Sequence, residues 1–187
     1  MKYGEPYFQY ECTPEQIDLL DSALKDPEFG EGVAVGLESI RKSRIAWIDD
    51  TGLDIVLLRI AKEVNVHAGW NLHLRRCDPI QYTEYDEGGK YDWHTDQAPP
   101  MQDHRDGVLK VRKISMTLFL NDPSEYEGGE FDVEFLGPSR SEERYETFKM
   151  PKGKAVFFQS DQWHRVRPVT SGIRKSLVAW FIGPPYV

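Results

Sequence analysis

From about Trp70 onward the chain is cut into short strand-like runs, each closed by turn residues. The candidates are WNLHLRR, IQYTEY, YDWHTD, KISMTLFLN, GEFDVEF, ETFKM, KAVFFQ and IRKSLVAWFI. Gly88-Gly89, Asn121-Asp122-Pro123, Gly128-Gly129, Gly137-Pro138, Lys152-Gly153 and Ser171-Gly172 punctuate them. Strands at this density point to a sandwich or barrel rather than to alternating βαβ units.

Side-chain parity refines that expectation, because residues i and i+2 of a strand share a face. In KISMTLFLN, Ile114, Met116, Leu118 and Leu120 form a wholly apolar face, while Ser115, Thr117 and Phe119 form the other. In IRKSLVAWFI, Ile173, Leu177, Ala179 and Phe181 form an apolar face interrupted by Lys175, opposite a mixed face of Arg174, Ser176, Val178 and Trp180. An apolar face needs a covering layer, and two N-terminal helices can supply it. The first begins at Thr13-Pro14-Glu15-Gln16, a capping box with proline at the first helical position, and continues through Ile17, Leu20 and Leu24. The second starts near Thr51 and carries Leu53, Val56, Leu57, Ile60 and Val64 on one stripe. Between them, PEFGEGVAVG reads as a loop entering a short strand. The expected fold is α+β, mainly β: a jelly-roll or cupin-like double-stranded β-helix backed by N-terminal helices, with the mixed faces lining a cavity.

At 187 residues this is expected to be one domain, 1–187, helical to about residue 69 and a barrel core from about 70. A formal net charge of −8 opposes sequence-independent nucleic-acid binding, so no nucleic-acid partner is expected. Two cysteines, Cys12 and Cys77, make neither a metal-spaced pair nor a disulfide framework, which favours a reducing, cytoplasmic setting. MKYGEPYFQY has no signal-like apolar stretch and no run approaches membrane-spanning length, so no membrane partner is expected.

Five histidines can be weighed singly. His94 and Asp96 end a strand in HxD spacing, which turns both to one face about 7 Å apart along the backbone. Two histidines and one carboxylate occupy one face of an octahedral iron(II) and leave positions open. His104-Arg105-Asp106 has the same spacing but lies in APPMQDHRDG, with no strand to fix its parity. His164 follows the apolar strand and polar turn KAVFFQSDQW, which would put it at a barrel mouth as third ligand or as a capped turn histidine. His67 ends the second helix, and His73 alternates with Leu72 and Leu74 as a surface or packing residue. Arg174, ten positions after His164, lies on the mixed face with no carboxylate beside it, so an anionic ligand can be its missing partner. The opposite parity would turn Lys175 inward instead.

The ordered series HTD, LFLNDPSEYEGGEF, PKGKAVFF and HRVRPVTSGIRKSLVAW resembles the prolyl-4-hydroxylase branch of 2-oxoglutarate/iron(II) dioxygenases, most of all the bacterial PKHD-type hydroxylases, over roughly residues 80–183. The resemblance implies iron held by His94, Asp96 and His164, with Arg174 gripping the distal carboxylate of 2-oxoglutarate and Tyr85 helping to hold that cosubstrate. Tyr85 can equally be a barrel-wall aromatic. Phe119 stands where some relatives carry a tyrosine, so that hydrogen bond is lost or supplied by Thr117. Trp180 matches a large aromatic beneath the iron. The resemblance also implies O2-dependent hydroxylation of an unactivated carbon, with succinate and CO2 as co-products and ascorbate as support. Asp96, retained where a halogenating relative has a small residue, favours hydroxylation.

A peptide or protein side chain, proline first, is the expected substrate. Trp93 and Trp163 beside the ligands would shape a groove if they border the mouth, although parity turns each away from its neighbouring ligand. QAPPMQDHRDGVLKVRK, long for a connection, is expected to form a lid. A free amino acid would need more charged clamps, and no second arginine is clearly placed on the cavity face. Hydroxylation of a free amino acid or small metabolite is the alternative. A non-catalytic metal-binding barrel, or a cupin using another metal, is a third reading.

Overall fold

The computed structural model describes residues 4–31, 40–103, 106–135 and 144–186. The chain runs through β1 (Tyr7–Glu11), α1 (Pro14–Ala23), β2 (Gly30–Glu31), β3 (Arg41–Lys42), β4 (Arg44–Ile48) and α2 (Thr51–His67). Next come β5 (Arg76–Cys77), β6 (Ile80–Tyr85), β7 (Lys90–His94), β8 (Met101–Gln102) and β9 (Leu109–Phe119). The remainder holds β10 (Tyr126–Gly128), β11 (Phe131–Glu134), β12 (Tyr145–Phe148), β13 (Lys154–Gln159), β14 (His164–Val166), β15 (Val169–Gly172) and β16 (Arg174–Gly183).

The major sheet has the order β1-β13-β9-β16-β6-β4-β2, with β5 beside β16 and β8 beside β9. The minor sheet runs β12-β11-β14-β7-β3, and β10 and β15 form a two-stranded ribbon. The two larger sheets face each other across a cavity in a double-stranded β-helix. Both helices start where the sequence expects. Thr13 and Gln16 close a reciprocal capping box on α1, and Asp50 accepts from the Leu53 amide at 2.8 Å to cap α2.

The parity argument holds along β9 and β16. Ile114, Met116, Leu118, Leu177, Ala179 and Phe181 are buried in one cluster with Leu20 of α1 and Leu53, Leu57 and Ile60 of α2. A second cluster, including Phe119, Phe131, Val156 and Phe158, fills the space between the sheets. Leu57 is 2% exposed at the contact between helix and sheet. Leu57→Ala is expected to cost about 2–5 kcal/mol through lost transfer energy and the cavity left behind. The check is a lower urea midpoint at unchanged slope.

Four departures matter for the site. First, the N-terminal third is not only helical, because β1, β2 and β4 join the major sheet and β3 joins the minor one. Second, WNLHLRR forms a strand only at Arg76–Cys77. Asn71 has φ 52°, and the Asn65 side chain takes both the amide and the carbonyl of Leu72, so Leu72 is satisfied without a neighbouring strand, and the segment reaches β16 only from Arg75 onward. Third, the expected long lid is partly a hairpin, with Met101 paired to Lys110 and Gln102 to Leu109. Asp103 is buried and meets Arg76 at 3.4 Å, and Asp106 pairs with Arg75 and Arg76, which ties this hairpin to β5. Fourth, His104, Arg105 and residues 32–36 of the expected loop and strand lie outside the described residues. Among the described residues, no helix is long and apolar enough to cross a membrane.

Candidate metal centre

His94 and His164 are cross-strand partners on β7 and β14. Asp96 follows just beyond β7. Its amide and that of Gln97 both donate to the Ser160 carbonyl at 2.9 Å, so the HxD segment is clasped to the turn that leads into β14. The ligand atoms of His94, Asp96 and His164 all lie within 4.8 Å of one another. His164 Nε2 is 3.4 Å from one Asp96 oxygen, and His94 Nε2 is 3.9 Å from the other.

Each imidazole is aimed by its own backbone. His94 Nδ1 lies 2.7 Å from the Asp92 carbonyl, and His164 Nδ1 lies 3.0 Å from the Gln162 carbonyl. A carbonyl can only accept, so each Nδ1 carries the proton and each Nε2 turns a lone pair toward Asp96. Burial, followed by the neighbouring His164, depresses His94 to about 3 against the opposing pull of Asp96. Burial pushes the Asp96 carboxyl up, but His164, His94 and the Ser115 hydroxyl together hold it below the usual carboxylate range. The ionised carboxylate and a neutral His94 are the forms that bind a metal. Tyr91 stacks on His94 with centroids 3.5 Å apart, while Phe158 and Phe131 pack His164 at 4.6 and 5.9 Å. His67 and His73 are exposed and take no part.

Across the cavity, Arg174 is fully buried, while Lys175 lies on the opposite face of β16 and is half-buried. Arg174 Nη1 donates to Ser176 Oγ at 2.9 Å, but Nε and Nη2 have no partner. The rings of Tyr85 and Phe119 lie 5.4 and 5.2 Å from the guanidinium carbon. Burial pulls the Arg174 pKa down, opposed by Tyr85 and Tyr126. The Tyr126 hydroxyl, on β10, is a further buried group that makes no hydrogen bond of good geometry, although it lies near enough to Arg174 for each to shift the other's pKa. Both side chains pack on Gly129, where φ is +65° and an added Cβ would sit 3.0 Å from Arg174 Cδ. The sequence reading passed over Tyr126, whose signal is the aromatic preceding a Gly-Gly pair. Phe119 carries no donor, and Thr117 lines the cavity.

The cavity has a volume of about 230 Å³. Its lining includes residues that the sequence did not assign: Arg41, Trp47, Gln81, Tyr91 and Arg112. Two of them arrive through register slips. On β7, His94 pairs with His164 but Tyr91, not Asp92, pairs with Val166, so Asp92 and Trp93 oppose Arg165 alone and Tyr91 shares the cavity with His94. On β9, Ile114 pairs with Phe181 and Arg112 with Ile182, which brings Arg112 to the cavity although strict alternation would put it on the helix-facing side. The expectation of no second cavity arginine is therefore corrected: Arg41 and Arg112 both line it.

The expected tryptophan groove is not built from Trp93 or Trp163. Trp93 packs on Tyr145 and Arg165 outside the cavity, and Trp163 is exposed. Trp180 does line the cavity, covered by the Arg112 guanidinium at 3.8 Å.

The profile of the 2OG-Fe(II) oxygenase superfamily matches residues 80–182. A PKHD-type hydroxylase of Synechococcus sp. is 38% identical over 96 residues, 51% of this chain and 39% of that protein. The chain thus spans about two fifths of that relative's length. A PKHD-type hydroxylase of Picosynechococcus sp. is 31% identical over 173 residues, 90% of this chain and 73% of the relative. Among solved structures, a Pseudomonas putida prolyl-4-hydroxylase superposes with a TM-score of 0.68 at 21% identity, covering 95% of this chain and 92% of that one. A Trichoplax adhaerens prolyl hydroxylase, solved with a hypoxia inducible factor oxygen degradation domain peptide, gives 0.63 at 18% identity, covering 95% and 83%. These two likenesses show the fold.

Proposed function

The chain belongs to the 2OG-Fe(II) oxygenase superfamily, and on that footing we propose that it is an iron(II)- and 2-oxoglutarate-dependent dioxygenase that hydroxylates an unactivated carbon. His94, Asp96 and His164 are its iron ligands. The donor set suits iron(II): two imidazole Nε2 atoms and one carboxylate fill one face of an octahedron and leave the other for ligands. Bound iron would couple O2 reduction to decarboxylation of 2-oxoglutarate, leaving one oxygen atom in succinate and one in the substrate's new hydroxyl. Ascorbate is expected to support turnover by keeping the metal reduced.

The single observation that carries this reading is Arg174. A fully buried guanidinium with two unpartnered nitrogens is costly unless an anion completes it. The distal carboxylate of 2-oxoglutarate supplies that anion, and the planar fork suits a carboxylate. Tyr126 would add a third donor, and Tyr85 would wall the same end. Phe131 and Phe158 keep water from His164, so the chain's contribution is to place ligands and cosubstrate and to exclude solvent.

Tyr126→Phe is expected to weaken 2-oxoglutarate by about 1.5–3 kcal/mol, the usual worth of a hydrogen bond to a charged group. Calorimetry under nitrogen checks this, with iron affinity unchanged.

The first substrate we propose is a prolyl residue in a peptide or protein. The prolyl hydroxylases with this fold, one of them holding a peptide, support that choice. A free amino acid or small metabolite is the second reading, favoured by the two further arginines at the mouth. The chain is proposed to act as one domain in the cytoplasm, where its two buried cysteines, not joined in a disulfide, stay reduced. The test is an anaerobic titration with iron(II) and 2-oxoglutarate, followed by mass spectrometry of proline peptides and free amino acids after air is admitted. A visible charge-transfer band and a gain of one oxygen support the reading. Absence of the band would leave a metal-binding barrel without this chemistry.

A further inference from the structure

The mouth of the cavity carries more positive charge than the proposed reaction uses. Arg41 stands on one side, with its guanidinium 4.7 Å from the Tyr91 centroid and its Nε bound to Ser43 Oγ at 2.9 Å. No carboxylate pairs with it among the described residues. Arg112 stands on the other, over Trp180, and gives its Nε–H to Asp78 at 3.2 Å. Asp78 also takes the ammonium of Lys110 at 2.9 Å, so one carboxylate answers two cations. Arg41 belongs to β3 of the minor sheet and Arg112 to β9 of the major sheet, so the two reach the cavity from opposite sheets.

Charge balance shows what is missing. In a centre loaded with iron(II) and 2-oxoglutarate, the cosubstrate's two carboxylates offset the metal's two charges, and Asp96 offsets Arg174. Among the described residues Arg41 remains without an anion and Arg112 shares one with Lys110, inside a chain whose formal net charge is −8. Cations held at a partly enclosed mouth focus anions there, whatever the overall charge. Two tryptophans line the same cavity. Trp47 is 56% exposed, and its ring centroid is 6.3 Å from that of Trp180, a shelf for an aliphatic ring or chain.

We infer that the substrate presents a carboxylate close to the carbon that reacts, and that Arg41 and Arg112 receive it while Trp47 and Trp180 support its apolar part. This inference rests on the oxygenase reading and narrows its substrate class to carboxylate-bearing molecules. A free small acid and an acidic residue beside a peptidyl proline share that chemistry.

Two matched pairs separate the sources. N-acetylproline and N-acetylprolinamide test the small acid, and acetyl-Glu-Pro-amide and acetyl-Gln-Pro-amide test the acidic peptide. Each is titrated by calorimetry into anaerobic protein loaded with iron(II) and 2-oxoglutarate. The acid of at least one pair is expected to bind roughly tenfold or more tightly than its amide, since a charge-assisted bond to arginine is replaced by a neutral one. Arg41→Gln or Arg112→Gln should bring that ratio to about twofold or less. Arg112→Lys should keep part of it, because it retains the charge without the fork.

Equal binding of acid and amide in both pairs would overturn the inference, as would a preference that neither glutamine substitution alters. The same titrations on unloaded protein keep the two readings apart. Failure to take up iron(II) and 2-oxoglutarate, with an arginine-dependent acid preference intact, would overturn the oxygenase reading and leave the anion site standing.

Discussion

His164→Ala is expected to abolish iron-dependent decarboxylation of 2-oxoglutarate while leaving a folded chain. Two remaining ligands hold iron(II) poorly. Loss of partners beyond the ligands commonly costs about 10–100-fold in metal affinity, so loss of a ligand should exceed that range. His94→Ala should behave alike, because the two imidazoles are cross-strand partners aimed at one carboxylate. Succinate release and equilibrium dialysis against iron(II) measure both variants. The fold should survive, since the substitution removes a ring at the cavity wall and the backbone bonds of β14 to β7 and β11 remain. His104→Ala should retain turnover. Activity lost in His104→Ala but kept in His94→Ala would move the metal pair to the other HxD triplet.

Arg174→Met should pull function and stability in opposite directions. Losing the bidentate contact strands the distal carboxylate, so 2-oxoglutarate should weaken by about 2–5 kcal/mol. Without cosubstrate the same change removes a fully buried guanidinium with two unpartnered nitrogens and leaves an apolar chain of similar reach beside Phe119. An unsatisfied buried polar group costs about 1–3 kcal/mol, so the ligand-free variant should melt higher than the wild-type chain. The wild type should gain from added 2-oxoglutarate, by about 2.7 kcal/mol at a hundred times its dissociation constant, and the variant should not. Lys175→Ala, on the other face, should be mild in both measurements. A variant that melts lower and still responds to 2-oxoglutarate would contradict the role given to Arg174.

Much of this was legible because period-two alternation is a local property. Ile114, Met116 and Leu118 share a face that needs a cover, and parity sets Arg174 opposite Ile173, Leu177 and Ala179, with Lys175 as the alternative that the structure turns away from the cavity. The capping box at Thr13 is equally local. What escaped the sequence depends on distant partners. β1 is a strand because Tyr7–Glu11 pairs with Lys154–Phe158, and nothing within those five residues announces that neighbour. Tyr91 and Arg112 reach the cavity through slips in register, which alternation cannot foresee, since a single extra residue inverts the faces beyond it. The lid was read as long because Leu109–Arg112 looked like loop, whereas pairing with β8 and β16 makes it strand. Trp47 lies in β4, where Ile45, Ala46, Trp47 and Ile48 are apolar on both faces, so alternation gives no signal for which side meets the cavity.

The clasp at Ser160 has a consequence for how the centre is filled. Asp96 and Gln97 hang from the Ser160 carbonyl, the Ser160 amide hangs from Lys113, and the imidazoles are held by the carbonyl of Asp92 in β7 and that of Gln162 in the turn before β14. Every one of these restraints is internal to the chain, so none depends on a metal. In small zinc modules the ion's binding energy is spent on ordering the peptide around it, and removing the ion unfolds them. Here the ordering is done by the sheets. An ion bound by His94, Asp96 and His164 would meet side chains already aimed by the fold, so chelating it is expected to leave the sheets intact.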